Sequence, residues 1–550
     1  MINKLQNSIK YLTNYSIVGW KMSIRVRTLT PISYSIKVDA IKKKLARFKD
    51  DDFLKNFYRH FQSLRDKKSG IIANFPWCCF LALKWKFLSM ENKDSSHMSY
   101  DEFIKIINRI YDLQSEASNF RLESNIILGV RRMMINQFLY QQTDKFNYAS
   151  LIRQYIWYCD GDTYFRKSFY EVTGLELSNY YRMASYFVII ASINDGVDSE
   201  IFPYKLFILY WVPLIGIEQV KKFLALISLR PDEIRGFIDE YKYNQNVIIE
   251  YYEDTPMLRK PALLAKEGVV VLSKKILKAG LVNLVPEILK SNFKEDYKIA
   301  FGKALEVYAA YVFSHYQYNF IDESGIKGIY KKHKLNGKSV DFVIQESDGY
   351  TFIDCKAIEP APYIKTTSDP ERLRQRLRSS FIKGIFQGEH TAFNLLEAGV
   401  FESWKKLSII VVVHRDHYLS NGSDVESLIY ETLSSELSEE YGWVPIPLNR
   451  IYYITIDGLE HLLGVCKKKN VSLNDFIDYC SECDSSFKSK RASIDMHMDD
   501  FLPEGVEDIN KIKSVGDMLF QDITDVIGEG SKIWQGKVEA YISMLDYLHS

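Results

Sequence analysis

Four short runs rich in β-branched and aromatic residues interrupt a chain otherwise patterned for helices, and they restrict where a sheet can form. They are SVDFVI (Ser339–Ile344), YTFIDCKAI (Tyr350–Ile358), LSIIVVV (Leu407–Val413) and RIYYITI (Arg450–Ile456). Runs of this length and composition read as strands. The first two are joined through QESDG, and Asp348-Gly349 is a strong hairpin signal. A helix is expected before them, over Asp296–Phe313. A long basic helix is expected over about Asp369–Ala398, and a further one near Val425–Glu436. The order is then helix, hairpin, helix, strand, helix, strand, a compact α/β unit with a mixed sheet over residues 291–456.

The flanks read differently. Asp101–Glu116 and Pro231–Tyr243 place apolar residues at the helical period, and Pro231 followed by Asp232 and Glu233 is a good helix start. Asp254–Pro261, with two prolines, reads as a connector, and Val269–Leu289 as helix-like or mixed. The chain has 550 residues, with only 27 Gly and 14 Pro against 8 Trp, 37 Tyr and 32 Phe, which suits long helices packed through aromatic faces. The expected fold class is therefore α+β overall. It comprises a predominantly helical N-terminal region (1–290), the central α/β domain (291–456) and a helical C-terminal extension (457–550).

Composition excludes several functions. A formal net charge of +1, from 71 basic and 70 acidic residues, gives no global attraction for nucleic acid, so any such binding must be local. Leu206–Ile217 is too short to span a bilayer and Pro213 interrupts it. The first residues, MINKLQNSIKYLTNYS, lack the apolar stretch of a secretory signal. With seven scattered cysteines, a cytoplasmic protein with reduced thiols and no membrane partner is expected.

The chemistry concentrates in TFIDCKAI. Strand side chains alternate, so Asp354 and Lys356 project from one face. An acid and a lysine together on an apolar strand suit metal-dependent phosphodiester hydrolysis. The carboxylate holds the cation while the ammonium positions water or offsets developing negative charge. Asp341 can sit beside Asp354 across the hairpin, and the Cys355 carbonyl adds an oxygen of the kind Mg²⁺ or Mn²⁺ prefers. Acid-x-Lys alone means little, because it occurs five times, at Asp66–Lys68, Glu91–Lys93, Glu240–Lys242, Asp296–Lys298 and Asp354–Lys356. Only the last has an upstream Asp on a partner strand and a further acid, Glu306, in a mostly apolar helix (GKALEVYAAYVF). Gly302, one turn earlier on the same face, permits close approach of a neighbour. An isolated Glu in such a helix is costly without a metal or basic partner.

The ordered set of helix Glu306, strand Asp341, Asp354-x-Lys356, helix and buried strand resembles the PD-(D/E)xK nuclease superfamily, with its restriction-endonuclease-like fold. The resemblance covers about residues 295–456. It departs from the family pattern in having Val340 before Asp341 and Asp as the acid of the second motif. It implies Mg²⁺- or Mn²⁺-dependent endonucleolytic cleavage of nucleic acid, with DNA the expected substrate and RNA, tRNA included, the alternative. It further implies Asp341, Asp354 and the Cys355 carbonyl as metal ligands, Glu306 as support for the metal or its water, and Lys356 as the group that activates the nucleophile. Members often carry a Gln on the next helix, and Gln387 fits better than Gln375. Arg372, Arg374, Arg376 and Arg378, with Lys331, Lys332, Lys334 and Lys338, bracket the site with positive charge. The long helical flanks resemble, in layout only, those of bacterial anti-phage defence nucleases, which implies a sensing, partner-binding or homo-oligomerising role for them. The rival from another class is a non-cleaving nucleic-acid-binding or assembly subunit.

Other motifs carry less. His414-Arg415-Asp416 with Asn421 has the spacing of a kinase catalytic loop but lacks its companion motifs. Gly337-Lys338-Ser339 leads into a strand and not a P-loop helix. Cys480 and Cys483, even with Cys466 and His461, lack the second close pair of a zinc site. Cys78-Cys79, beside Trp77, reads as core.

Overall fold

The computed structural model describes residues 31–62, 74–89, 95–118, 125–141, 144–161, 163–193, 196–241, 247–357, 364–486 and 488–549. The segment MINKLQNSIKYLTNYS lies outside the described residues, as do Asp66–Lys68, Glu91–Lys93 and Lys242. The chain is α+β, with two mixed sheets among many helices, and divides into two compact units. One is made of Lys10–Leu122, Arg132–Lys294 and Lys511–Ser550. The other is made of Glu295–Asn510 with two short earlier pieces, of which Glu123–Arg131 reaches into the described residues. No helix of the described residues is long and apolar enough to cross a membrane.

The first unit is mainly helical, as its periodicity implies. Helix Tyr100–Asp112 starts at a capping box between Ser99 and Glu102 and buries Phe103, Ile106, Ile107 and Ile110, the i, i+3, i+4, i+7 stripe. Phe57 joins Phe53, Phe61, Phe80 and Phe103 in an aromatic core, with ring centroids 5.1–6.4 Å apart. The unit also contains a small sheet that the sequence pattern does not reveal. It consists of β1 (Glu200–Pro203), β2 (Ser228–Leu229), β3 (Ala262–Ala265) and β4 (Gly268–Val271) in the order β1-β4-β3-β2. Strands of two to four residues are too short to display alternation. The β3–β4 turn depends on Gly268, whose φ is 151° and where a Cβ would lie 2.4 Å from the Phe202 carbonyl oxygen.

The second unit begins within the helical run α1 (Lys274–His315), which is broken at Lys294, where φ is 40° and ψ −104°. Strand β5 (Phe320–Asp322) and helix α2 (Glu323–His333) follow, neither anticipated from sequence. The hairpin is β6 (Phe342–Gln345) and β7 (Gly349–Lys356). Helix α3 (Pro370–Leu377) then passes through a π-helical turn, Arg378–Ile382, into α4 (Lys383–Glu397). Next are β8 (Lys406–Val413), α5 (Gly422–Ile429), α6 (Leu433–Tyr441) and β9 (Ile451–Thr455). The sequence-based helix over Val425–Glu436 is thus two helices separated at Tyr430–Thr432. Helices α7 (Ile456–Lys469), α8 (Leu473–Asp484) and α9 (Ile494–Phe501) belong to the same unit, which therefore extends past residue 456.

The sheet order is β5-β6-β7-β8-β9, antiparallel through β7 and parallel from β7 to β9. Its central strands are buried on both faces, which is why LSIIVVV reads as an unbroken apolar run. On one face Val343, Phe352, Ile409, Val411 and Tyr453 form a core with Phe381, Ile385 and Leu395. Helix α4 reaches that face closely through Gly384 and Gly388, where an added Cβ would lie 2.7 Å from Val411 and 2.5 Å from Ile409 side-chain carbons. A Gly388→Val variant is expected to overpack this contact and lose about 1–3 kcal/mol of stability in denaturant titrations. An unchanged midpoint would show that the helix is not held this close.

Candidate active site

The antiparallel register pairs Phe342 with Ile353, so one further step sets Asp341 opposite Asp354. Asp341 ends the ladder. Its carboxylate accepts the Cys355 N–H at 2.6 Å, a donor that the strand would otherwise leave unpaired. Asp354 and Lys356 share the face of Tyr350 and Phe352, the face covered by α4. Asp354 is 0% exposed and Lys356 7%. Lys356 Nζ pairs with Asp354 without hydrogen-bond alignment, and neither Asp354 oxygen accepts a hydrogen bond from a described residue. Lys356 Nζ donates instead to Gln387 Oε1 at 2.7 Å, and Gln387 Nε2 donates to the Ser339 carbonyl at 3.0 Å. Gln387 thus ties the lysine to the segment that enters Asp341. Thr391, one turn on, accepts the Val340 N–H at 3.1 Å and fastens the same segment.

Glu306 arrives from α1. Phe313, seven residues later on the same stripe, packs against Phe320 and Phe342 at ring distances of 5.4 and 5.1 Å, which aligns this helix with the β5–β6 edge. Half-burial, then the nearby Asp341 and Glu323 charges, push the Glu306 carboxyl up to about 7, with Lys356 opposing. Burial pushes Asp354 up to about 7 against the pull of Lys356, while Asp341 adds to the rise. Asp341 is also raised by burial, against its hydrogen bond from Cys355. Burial, followed by the same carboxylates, holds the Cys355 thiol far above its ordinary range, so it stays protonated. Cys355 has no nucleophilic character, and its contribution is its backbone.

Of the sequence-derived candidates, Asp341, Asp354, Cys355, Lys356 and Gln387 are in direct contact with one another, and Glu306 lies within their electrostatic reach. Among the described residues no group of three or more His, Cys, Asp or Glu side chains is gathered as a ready metal cage. The local chemistry nonetheless fits a hard divalent cation. The buried Asp354 carboxylate has Lys356 as its one ion-pair partner among the described residues, a second carboxylate lies opposite, and a third shares the field.

Two contributors are not evident from the sequence pattern. Glu323, ion-paired with Lys327 at 2.7 Å, acts on both Glu306 and Asp341. Lys383 lies one helical turn before Gln387. Its pKa is lowered first by burial and then by Lys356, Lys338 and Lys298, so four lysines converge here. The i, i+4 spacing of Lys383 and Gln387 was the available signal.

The remaining motifs resolve into structural roles. Asp416 accepts the Tyr418 N–H at 2.6 Å and faces the buried Arg131. Asn421 caps α5 by accepting the Asp424 N–H and donates to Asp484. Cys480 and Cys483 gather no metal set. Their neighbour Asp484 instead pairs with buried His497 at 2.9 Å. Gly337 has a φ of 103°, in a loop before β6. Arg372 and Arg374 pair with Asp369 and Glu371 of their own helix, whereas Arg378 and Lys338 line a groove beside Gln387. Comparison with protein-family models, with curated proteins and with solved structures finds no match.

The raised Glu306 carboxyl sets a pH dependence. The unfolded carboxyl releases its proton near its ordinary value and the folded one only near 7, so stability falls as pH rises through that window. In EDTA, Glu306→Gln should melt at a higher temperature than wild type at pH 8 and at the same temperature at pH 4. Equal melting at both pH values would show that burial and the neighbouring carboxylates do not raise this carboxyl.

Proposed function

We propose that Glu306, Asp341, Asp354 and Lys356 form the active centre of a metal-dependent nuclease of the PD-(D/E)xK type, acting on nucleic acid. The observation that carries this reading is the pair of cross-strand aspartates with a lysine two residues along the same buried face, its ammonium held by Gln387. Burial and mutual repulsion raise all three carboxylates, so their ionised forms are disfavoured here, and a divalent cation is a partner that would favour them.

Asp341 and Asp354 would hold Mg²⁺ or Mn²⁺, with the Cys355 carbonyl and Glu306 as further oxygen donors. The cation, when bound, supplies Lewis-acid polarisation of the phosphate and lowers the pKa of water. Lys356 offers a fixed positive charge where charge builds on a phosphoryl oxygen. Gln387 restricts that charge to one position, so little reorganisation is needed as the reaction proceeds. The converging lysines draw a polyanion towards a chain that is nearly neutral overall.

DNA is the first expected substrate, with RNA the alternative, since the catalytic groups do not distinguish the two sugars. One feature favours a second reading, a binding or assembly module: the metal ligands are not preassembled and Lys356 is turned onto Asp354.

The test is incubation of plasmid, linear duplex and single-stranded DNA and total RNA with the full chain, in Mg²⁺ or Mn²⁺ against EDTA. Cleavage is expected only with metal, and Lys356→Ala and Asp354→Ala should each reduce it by at least about a hundredfold. The two variants should leave nucleic-acid affinity within a few fold of wild type. Equal cutting by both variants would place the active centre elsewhere, and no cutting of any substrate would favour the binding module.

A further inference from the structure

A groove of about 550 Å³ opens beside Gln387, lined by Gly337, Lys338, Arg378 and Lys383 on one side and by Tyr430, Glu436, Glu440 and Tyr441 on the other. Its two sides are opposite in charge, and the elements explain why. The first side is the loop before β6, the π-helical turn and the start of α4. The second is the segment around α6. Lys338 and Lys383 form no ion pair or side-chain hydrogen bond with a described residue, and Lys383 is crowded by other lysines. The carboxylates are pinned: Glu436 accepts from Tyr430 and Thr432 hydroxyls, each at 2.6 Å, and Glu440 accepts from the Tyr441 hydroxyl at 2.8 Å.

We propose that this groove is the track for one strand of nucleic acid leaving the Asp354–Lys356 centre, and that it selects single strands over duplex. The proposal rests on the nuclease reading for its position and deepens it by naming the substrate class. Phosphates lie along Lys338, Arg378 and Lys383, and Gln387 links this row to Lys356. Bases face the other side, where the fixed carboxylates accept from exocyclic amino groups beside the Tyr430 ring, itself approached by the Arg374 guanidinium at 5.1 Å. A duplex carries a second backbone, which would be driven against Glu436 and Glu440. The volume is that of a small-ligand cleft, of the order of 300–1,000 Å³, room for a nucleotide or two but not for a double helix. The arrangement is shared by single-stranded DNA and RNA, which differ only at the sugar.

The experiment measures fluorescence anisotropy of labelled single-stranded DNA, single-stranded RNA and duplex DNA of equal length, titrated with full-length Lys356→Ala protein over a range of salt. Single strands should bind at least about tenfold tighter than duplex. Adding Lys383→Ala or Arg378→Ala should weaken single-strand binding and lower the slope of log K against log salt by about 0.7 for each phosphate no longer neutralised. Adding Glu436→Gln with Glu440→Gln should strengthen duplex binding and narrow the discrimination, an effect that loss of structure would not produce. The DNA and RNA arms identify the sugar. Duplex bound as tightly as single strand, or slopes and discrimination unmoved by both sets of variants, overturns the proposal. Single-strand selectivity that moves with these variants, in a protein that cleaves nothing, sustains the groove and removes the nuclease reading. Cleavage by wild type with unmoved slopes does the reverse.

Discussion

Asp354 is a carboxylate placed where the sheet admits no water, and much of the second unit's design follows from keeping it there. Strand β7 is central, antiparallel to β6 on one side and parallel to β8 on the other, so its side chains are covered on both faces. A charge in such a position costs several kcal/mol unless it is matched. The match in this chain is incomplete. Lys356 supplies one positive charge from two residues along, while Asp341 opposite and Glu306 nearby add negative charge. The surrounding frame is built to hold the arrangement rigid: Gln387 on Lys356, Thr391 on Val340, and Gly384 and Gly388 bringing α4 against β8. The proposed cation would complete the charge balance of this cluster, which the described residues leave unmatched.

Much of this centre is legible in the residues alone. The period-two pattern of TFIDCKAI puts Asp354 and Lys356 on one face. The Asp348-Gly349 turn fixes the hairpin, and the hairpin register then delivers Asp341 to Asp354. Gln387 is not legible in the residues themselves and comes only from the family resemblance; it does contact Lys356. What the sequence does not carry is tertiary. Strand β5 has three residues, and the first unit's sheet is made of pieces no longer than four, so neither leaves a periodic trace. Glu323 and Lys383 look like ordinary helix-surface charges until α2 and α4 are placed beside the strands. The inclusion of α7–α9 in the second unit depends on packing of α8 against β7 and β8 and of α7 and α9 against β9, which no local pattern encodes.

The electrostatics show how a chain of near-zero net charge can still present local positive charge. Many basic residues near the hairpin are neutralised within their own helices, as Arg372 and Arg374 are by Asp369 and Glu371. Lys338 and Lys383 instead lie without an ion pair to a described residue, beside Lys356, which pairs with Asp354, so positive charge is concentrated at one side of the groove and faces Glu436 and Glu440 across it. On the proposed reading, such a field would admit one phosphate backbone and resist a second.

The central claim is that the buried aspartate pair exists to hold a divalent cation. Its most direct measurement is calorimetric titration of Mn²⁺ into the full chain at pH 7 in buffers of different ionisation enthalpy. The account predicts saturable binding with net proton release, because Asp354 and Glu306 both titrate near 7, and loss of that binding in Asp354→Asn. No binding by the wild type, or binding with the same affinity and proton release in Asp354→Asn, would contradict it.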